Sequence, residues 1–165
     1  MQKSTFGRVG DYTIRGAETT DIPSVIGVNA ATLPEHYSDY FYYEVLNEFP
    51  GTFIVAELGG EVVGYVMCRT EYGLSVIKRF GIARKGHIIS IATMEAHRGK
   101  GIGTELIRHS IEEMKRAGCK EVFLEVRVTN DGAVRLYRKL GFAVTGTMNG
   151  YYKDGEAAYL MAQTV

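Results

Sequence analysis

Runs of alternating or β-branched apolar residues predict seven strands along the chain. The predicted strands are Tyr12–Arg15, Thr52–Glu57, Glu61–Thr70, His87–Met94, Glu121–Val128, Phe142–Met148 and Glu156–Gln163. The Gly59-Gly60 pair makes the second and third of them a hairpin. Four cations lie between Lys78 and Lys85. This basic segment is interpreted as a solvated loop, with a surface for an acidic partner such as a ribosome as the alternative.

Apolar residues at helical spacing predict four helices. The predicted helices begin near Thr20, Asp39, Ile102 and Asn130. The first has a capping side chain followed by Pro23 in its first turn, and the third ends at Gly118. The element order β-α-α-β-β-β-α-β-α-β-β predicts an α/β (α+β) single domain, in which helices pack on a mixed, mostly antiparallel sheet.

Composition restricts the class of protein. The chain has 165 residues, of which 45% are hydrophobic, and a formal net charge of zero. This length predicts one domain, over 11–165, and the start of the chain, rich in Lys, Ser, Thr, Gly and Arg, predicts a flexible N-terminal segment, 1–10. The balanced charge argues against specific nucleic-acid binding, and no apolar run is long enough for a membrane span or a secretory signal. A soluble, cytoplasmic protein is therefore expected.

A glycine-rich segment between a predicted strand and a predicted helix carries the clearest chemical signal. It reads Arg98-Gly99-Lys100-Gly101-Ile102-Gly103-Thr104. Glycines let a ligand approach the backbone closely, and free amides at a helix N-terminus attract anions, so a diphosphate is the expected ligand. The spacing matches neither a Walker loop nor a GxGxxG fingerprint. A glycine-rich connection without a ligand is the structural alternative.

Two blocks of this sequence resemble the signature of the GNAT acetyltransferases. They are Arg98-x-x-Gly101-x-Gly103 and Asn130-x-x-Ala133-x-x-Leu136-Tyr137-x-x-x-Gly141-Phe142. Further blocks are similar to the archaeal N-terminal acetyltransferases, which resemble the catalytic subunit of NatA. These are Leu33-Pro34-Glu35-x-Tyr37, Gly64-Tyr65-Val66, Gly86-His87-Ile88-x-Ser90-Ile91-Ala92, Leu124-Glu125-Val126-Arg127-x-x-Asn130 and Tyr151-Tyr152-x-Asp154-Gly155-Glu156. Ala157 departs from this pattern, because the relatives typically carry an acidic residue there.

The resemblance implies a GNAT fold with helices on both faces of the sheet and acetyl-CoA as the co-substrate, with no metal. A strand end pairs with the pantetheine arm in this family, and the glycine-rich loop holds the pyrophosphate. The residues implied for acetyl-CoA binding are Ile91, Ala92, Thr93, Arg98, Gly99, Lys100, Gly101, Ile102, Gly103, Thr104, Asn130 and Tyr137.

The reaction implied by the resemblance is acyl transfer from a thioester to an amine. An α-amino group titrates near pH ~8, so its deprotonation makes a mild demand on a base. Glu35 is the expected base or substrate anchor, with His87 and Glu125 holding a relay water and Tyr137 protonating the leaving thiolate. Each has a structural alternative, namely a helix-flanking charge for Glu35, a satisfied strand histidine for His87 and a core residue for Tyr137. A metal site at His87 and Glu125 has too few ligands to be predicted.

The predicted substrate is the N-terminus of a protein or peptide. Tyr37, Tyr151 and Tyr152 resemble the aromatic residues that line the peptide entrance in this family, and Glu35 matches its substrate-side glutamate. Ordinary packing is the alternative role of the three tyrosines. Small first residues such as Ser or Ala are expected, with Met-starting peptides in addition. Acetylation of lysine side chains or small amines and a non-catalytic acyl-CoA-binding module are the alternative functions. Ribosome association is a further possible partnership, and no membrane is expected.

Overall fold

The computed structural model describes residues 4–165, so Met1–Lys3 of the predicted flexible segment lie outside the described residues. The strands are β1 (Thr5–Val9), β2 (Tyr12–Gly16), β3 (Phe53–Leu58), β4 (Glu61–Leu74), β5 (Ile82–Thr93), β6 (Glu121–Arg127), β7 (Ala143–Met148) and β8 (Ala158–Thr164). The helices are α1 (Ile22–Thr32), α2 (Asp39–Glu48), α3 (Ile102–Arg116) and α4 (Asp131–Lys139).

The strands form one open sheet in the order β1-β2-β3-β4-β5-β6-β8-β7. Pairing is antiparallel for β1 with β2, β2 with β3, β3 with β4, β6 with β8 and β7 with β8. Pairing of β5 with β6 is parallel, because α3 returns the chain between these two strands. The predicted fold class, a mixed and mostly antiparallel sheet with helices, is confirmed.

The N-terminal segment, which the sequence predicts to be flexible, forms a strand from residue 5 onward. Thr5–Val9 forms the edge strand β1, which pairs with β2 through a turn at Gly10, whose φ is +56°. Strand pairing does not require an apolar face at an edge, and Gly7 and Arg8 interrupt the alternation that would have marked this strand. Phe6 adds a ring contact with His109 of α3, at 5.5 Å between centroids.

The basic segment is a loop only in part, so its interpretation as a solvated loop is wrong from Ile82 onward. β5 begins at Ile82, and the connection from β4 spans only residues 75–81. Ser75 shapes this connection, because its hydroxyl accepts hydrogen bonds from the backbone N–H groups of Lys78 (2.9 Å) and Ile77 (3.3 Å). Lys85 is buried in β5, and its ammonium donates to the carbonyl of Leu74 at 3.0 Å.

The chain divides into two compact units, and the first contains residues 4–69 and 88–113. Its core combines apolar side chains of α1, α2, β3 and β4, with the fully buried Tyr42 among them. Arg15 is also buried there and donates to both carboxylate oxygens of Asp21, at 2.7 and 2.9 Å, and to Glu57 at 2.9 Å. The Asp21 bond is the main cause that raises the Arg15 pKa. The Asp21 side chain therefore binds Arg15 and the Glu18 N–H, and it makes no capping hydrogen bond to α1.

The second unit contains residues 70–87 and 114–165. In it the buried strand β6 pairs with both β5 and β8. Gly86 of β5 admits Met114 of α3, since a Cβ atom at Gly86 would lie 2.1 Å from the Met114 sulfur. Among residues 4–165, no helix has the length and apolar character required to cross a bilayer.

Candidate active site

The glycine-rich segment follows the end of β5 in the first unit and leads into α3. Gly99 and Gly101 have φ values of +76° and +83°, in the left-handed region that favours glycine. α3 begins at Ile102 and runs for 15 residues, so its first N–H groups lie directly after this loop. Gly103 and Thr104 lie in that first turn, half-buried. The backbone thus has the form of an anion site at a helix N-terminus.

The cationic side chains of this loop contact the protein itself. Arg98 donates from Nε to the carbonyl of Thr93 at 3.0 Å. Lys100 donates to the hydroxyl of Tyr12 at 3.4 Å, and its ammonium lies 5.8 Å from the centre of the same ring. These contacts hold both side chains against the protein, and a contribution of Arg98 and Lys100 to diphosphate binding stays a prediction.

The end of β5 lies against a glycine of β4. Ala92 is buried, while Ile91 and Thr93 are half-buried. A Cβ atom at Gly64 would approach the Ala92 carbonyl and the Thr93 hydroxyl, each at 3.2 Å, so the absence of a side chain permits this spacing. After Thr93 the backbone leaves the strand, with the Met94 N–H donating to the Val63 carbonyl at 2.8 Å. The three residues expected to meet the pantetheine arm therefore form the terminus of a strand.

His87 and Glu125 are brought together in the second unit. His87 Nε2 lies 2.7 Å from a carboxylate oxygen of Glu125, and the imidazole stacks on Phe123 with 4.4 Å between ring centroids. An ionised carboxylate only accepts hydrogen bonds, so Nε2 of a neutral His87 carries the proton and Nδ1 has the lone pair. Glu125 therefore orients the ring and selects its tautomer.

Nδ1 of His87 is a buried nitrogen atom without a hydrogen-bond partner among residues 4–165. His87 as a whole is 9% exposed. A buried polar atom of this kind costs free energy unless a water or a ligand meets it. The pair therefore has the arrangement of a base, with an accepting nitrogen oriented by a carboxylate on the opposite side of the ring.

Asn130 and Tyr137 lie at opposite ends of α4. The Asn130 side chain accepts from the Ala133 N–H at 3.2 Å and so caps the helix. Tyr137 is 8% exposed and contacts the ring of Phe142 edge to face, at 6.0 Å between centroids. Burial raises the pKa of Tyr137 to about 12. Its phenol therefore stays protonated at neutral pH.

Asn29 of α1 holds the loop that contains Glu35 and Tyr37 by hydrogen bonds. The Asn29 amide donates to the Glu35 carbonyl at 3.0 Å and to the Tyr65 hydroxyl at 3.1 Å, while its oxygen lies 2.8 Å from His36 Nδ1. Tyr37 donates to the carbonyl of Ile89 at 3.3 Å. The backbone at Glu35 is thus fixed by a side chain that is only 2% exposed.

The polar network continues beneath this loop. Tyr65 lies 2.6 Å from the hydroxyl of Ser90, and burial raises its pKa. Tyr42 is buried close by in the same unit, and its hydroxyl has no hydrogen-bond partner within residues 4–165. Sequence reasoning missed Asn29, Tyr65 and Ser90 as site residues. Polar residues inside predicted apolar elements were the signal, although their partners are far apart in the chain.

Tyr151 and Tyr152 lie in the turn between β7 and β8, in the second unit. Their rings meet edge to face at 5.0 Å, and Tyr151 is 48% exposed. The guanidinium of Arg127 lies 4.1 Å from the centre of the Tyr152 ring. Arg127 also binds Asp154 at 2.8 Å and Glu156 at 2.6 Å. Arg127 therefore orients the turn, a role that sequence reasoning did not assign.

The turn carboxylates are held in their ionised forms. The pKa of Asp154 is lowered first by the Glu156 N–H and then by Arg127. The pKa of Glu156 is lowered first by the hydroxyl of Thr129 and then by Arg127. The turn accordingly keeps its anchor across neutral and mildly acidic pH.

The described residues include neither an activated cysteine nor a cluster of metal-binding side chains. Burial raises the pKa of the Cys119 thiol, so it remains protonated, and Cys68 is fully buried. Over the described part of the chain, residues 4–165, no group of three or more His, Cys, Asp or Glu side chains is placed to bind a metal ion.

Comparison with known proteins identifies the family. The model of the Acetyltransferase (GNAT) family matches residues 22–142. The chain belongs to the GNAT acetyltransferase family. An N-alpha-acetyltransferase of Sulfurisphaera tokodaii is 48% identical over 154 residues, covering 92% of each chain. The acetyltransferase described here is therefore a GNAT-type N-terminal acetyltransferase and an acyltransferase, which confirms the resemblance and the activity class.

Solved structures agree with this family. Ard1 of Thermoplasma volcanium matches the acetyltransferase with a TM-score of 0.82 and 30% identity, over 94% of this chain and 98% of that one. A chain of the NatC complex bound to Gag peptide and CoA matches with a TM-score of 0.85 and 25% identity, over 94% and 99%. Both matches cover nearly the whole length of this chain.

Proposed function

We propose that the acetyltransferase transfers acetyl from acetyl-CoA to the free α-amino group of protein N-termini, by direct attack in a ternary complex. Ser- and Ala-starting N-termini are the proposed substrates, with Met-starting ones in addition. The observation that carries this proposal is the buried His87–Glu125 pair, whose accepting nitrogen suits an amine that needs only mild deprotonation. Mass spectrometry of a Ser-starting peptide, which locates the transferred acetyl group on the α-amine or elsewhere, tests this proposal.

Acetyl-CoA is supported as the co-substrate by the form of the loop and by a neighbour. The two left-handed glycines and the N-terminus of α3 suit a diphosphate, and the NatC structure is described as bound to CoA. We infer that the backbone of Arg98–Thr104 holds the diphosphate and that Ile91–Thr93 pairs with the amide groups of the pantetheine arm. Asn130 and Tyr137 are proposed to lie beside that arm and the sulfur.

The chemical step requires a neutral amine. About a tenth of an α-amino group is neutral at pH 7, given its pKa near ~8. We propose that Nδ1 of His87 accepts the amine proton through a water, while Glu125 stabilises the imidazolium that forms. The amine nitrogen bonds to the acetyl carbon, backbone N–H groups near Ala92 stabilise the oxyanion, and the carbon–sulfur bond breaks to release CoA thiolate.

Tyr137 is proposed to stabilise the leaving thiolate by a hydrogen bond. Its pKa of about 12 lies well above the value of about 8.5 that is typical of a thiol, so complete proton transfer from the phenol is unfavourable. A phenol that stays protonated is nevertheless a good donor to an anionic sulfur.

The substrate side rests on Glu35 and three tyrosines. We propose that the Glu35 carboxylate anchors the N-terminal ammonium or a first-residue hydroxyl, with Tyr37 beside it. Tyr151 and Tyr152 are proposed to contact the extended peptide from the β7–β8 turn. Asn29 holds the first segment within its own unit and Arg127 holds the turn within the other, which supports a fixed conformation of each segment.

Ribosome association is proposed for the tip between β4 and β5. Tyr72, Phe80 and Ile82 are each more than 70% exposed there, next to the exposed cations Lys78 and Arg79. Aromatic and cationic side chains suit the phosphates and bases of RNA, and a cytoplasmic location fits such a partner. Replacing Lys78 and Arg79 with glutamine is expected to lower co-sedimentation with ribosomes severalfold at low salt while peptide acetylation stays unchanged. Equal sedimentation of both proteins would contradict this role.

A further inference from the structure

Tyr12 joins the N-terminal hairpin to the glycine-rich loop. It begins β2 and is 7% exposed. Its hydroxyl lies 2.8 Å from Nδ1 of His97 and 3.4 Å from the ammonium of Lys100, and the edge of its ring meets the His97 ring at 5.7 Å. One side chain therefore contacts the loop on both sides of Arg98 and Gly99.

The hydrogen bond between Lys100 and Tyr12 has a fixed direction. A lysine ammonium only donates, so the Tyr12 oxygen accepts from Lys100. The Tyr12 O–H is then available to donate to Nδ1 of a His97 whose ring proton lies on Nε2. All three groups are satisfied in this arrangement, and the Lys100 stem is held against the aromatic ring.

The rest of the hairpin reinforces this contact. A Cβ atom at Gly101 would lie 3.7 Å from a methyl group of Val9, so β1 lies directly behind the loop. Gly99 and Gly101 give the loop backbone its freedom, because neither has a side chain to restrict it. An anion site made of amides needs those amides in a fixed arrangement, and the hairpin contacts supply that restraint.

We propose that Tyr12 is a positioning residue for the diphosphate half of acetyl-CoA. It acts through His97 and Lys100, which fix the loop amides, and it does not touch the reacting atoms. The inference rests on the proposed function of the loop. It also assigns Lys100 an indirect role, in which its ammonium binds Tyr12 and only its backbone N–H contacts the ligand.

The test is Tyr12→Phe, which removes only the hydroxyl. Loss of its hydrogen bonds is expected to raise the KM for acetyl-CoA about three- to tenfold, with kcat within twofold. With acetyl-pantetheine, a donor that lacks the diphosphate, kcat/KM is expected to stay unchanged. Equal losses with both donors would overturn the proposal, because a general structural defect does not distinguish them. Tyr40→Phe, at an exposed tyrosine of α2, is the matched control.

Lys100→Met separates the indirect role from direct phosphate binding. If Lys100 acts through Tyr12, the double variant with Tyr12→Phe should bind acetyl-CoA with the same affinity as whichever single variant binds it more weakly. Additive losses would show that Lys100 meets the phosphates by itself and would overturn the proposal. Calorimetric titration with CoA measures the same affinities without turnover. A wild-type protein that binds CoA but transfers no acetyl group would refute the proposed function and leave this inference testable.

Discussion

Glu125→Gln is expected to lower kcat for peptide acetylation about 100- to 1,000-fold, with the KM for acetyl-CoA within twofold of the wild-type value. Glutamine keeps the shape of the side chain and can still accept from Nε2 of His87, at the 2.7 Å spacing of the present pair. It removes the negative charge that stabilises the imidazolium. The loss should therefore fall on the chemical step, and steady-state kinetics with a Ser-starting peptide measures it.

Two further variants make this result interpretable. His87→Gln should lose as much activity as Glu125→Gln, and the double variant should lose no more than either, because the two residues act as one unit. Glu112→Gln, at an exposed position of α3, is the matched control and should behave as wild type. Activity of Glu125→Gln within threefold of wild type would remove the pair from the mechanism and leave it a buried structural contact.

Glu35→Ala is expected to lower kcat/KM for Ser- and Ala-starting peptides about ten- to a hundredfold, the loss typical of a hydrogen bond to a charged group. The affinity for acetyl-CoA should not change, since the proposed role is on the peptide side only. Asn29 holds the backbone carbonyl of residue 35, so the loop retains its support when the side chain is shortened. Peptide kinetics and a separate CoA titration check the two halves.

The control for Glu35 is Glu44→Ala, at an exposed position of the neighbouring helix α2. A second variant, Glu35→Gln, separates the charge from the hydrogen-bonding capacity of the side chain. If glutamine restores most of the activity, Glu35 is a hydrogen-bonding anchor rather than a base. Unchanged kinetics in both Glu35 variants would exclude Glu35 from catalysis and from substrate binding.

The parts of the site that could be predicted from the sequence are those whose residues are close neighbours along the chain. Gly99, Gly101 and the start of α3 are recognisable because backbone freedom, positive charge and a helix N-terminus follow one another along the chain. The same holds for the Asn130 cap of α4, which depends on a partner three residues away. The roles of individual side chains in catalysis stay predictions.

The supporting contacts could not be predicted, because they join distant residues. Asn29 meets Tyr65 across 36 positions and Tyr12 meets His97 across 85 positions. No local period marks such pairs, since each residue reads as an ordinary polar position within its own element. β1 was missed for a related reason. It is held by its pairing with β2, a contact that does not require the apolar alternation by which strands are recognised in a sequence.

The measurement that tests the central claim most directly is the location of acetyl transferred from acetyl-CoA to a Ser-starting peptide by the purified protein. An N-terminally blocked, lysine-containing copy of that peptide is the comparison, and mass spectrometry locates the label. Acetylation of the free α-amine with no label on the blocked copy is the predicted result. Label on the lysine of the blocked peptide, or no transfer to either peptide, would contradict the proposed function, and a lysine label would leave the acetyl-CoA half of the site in place.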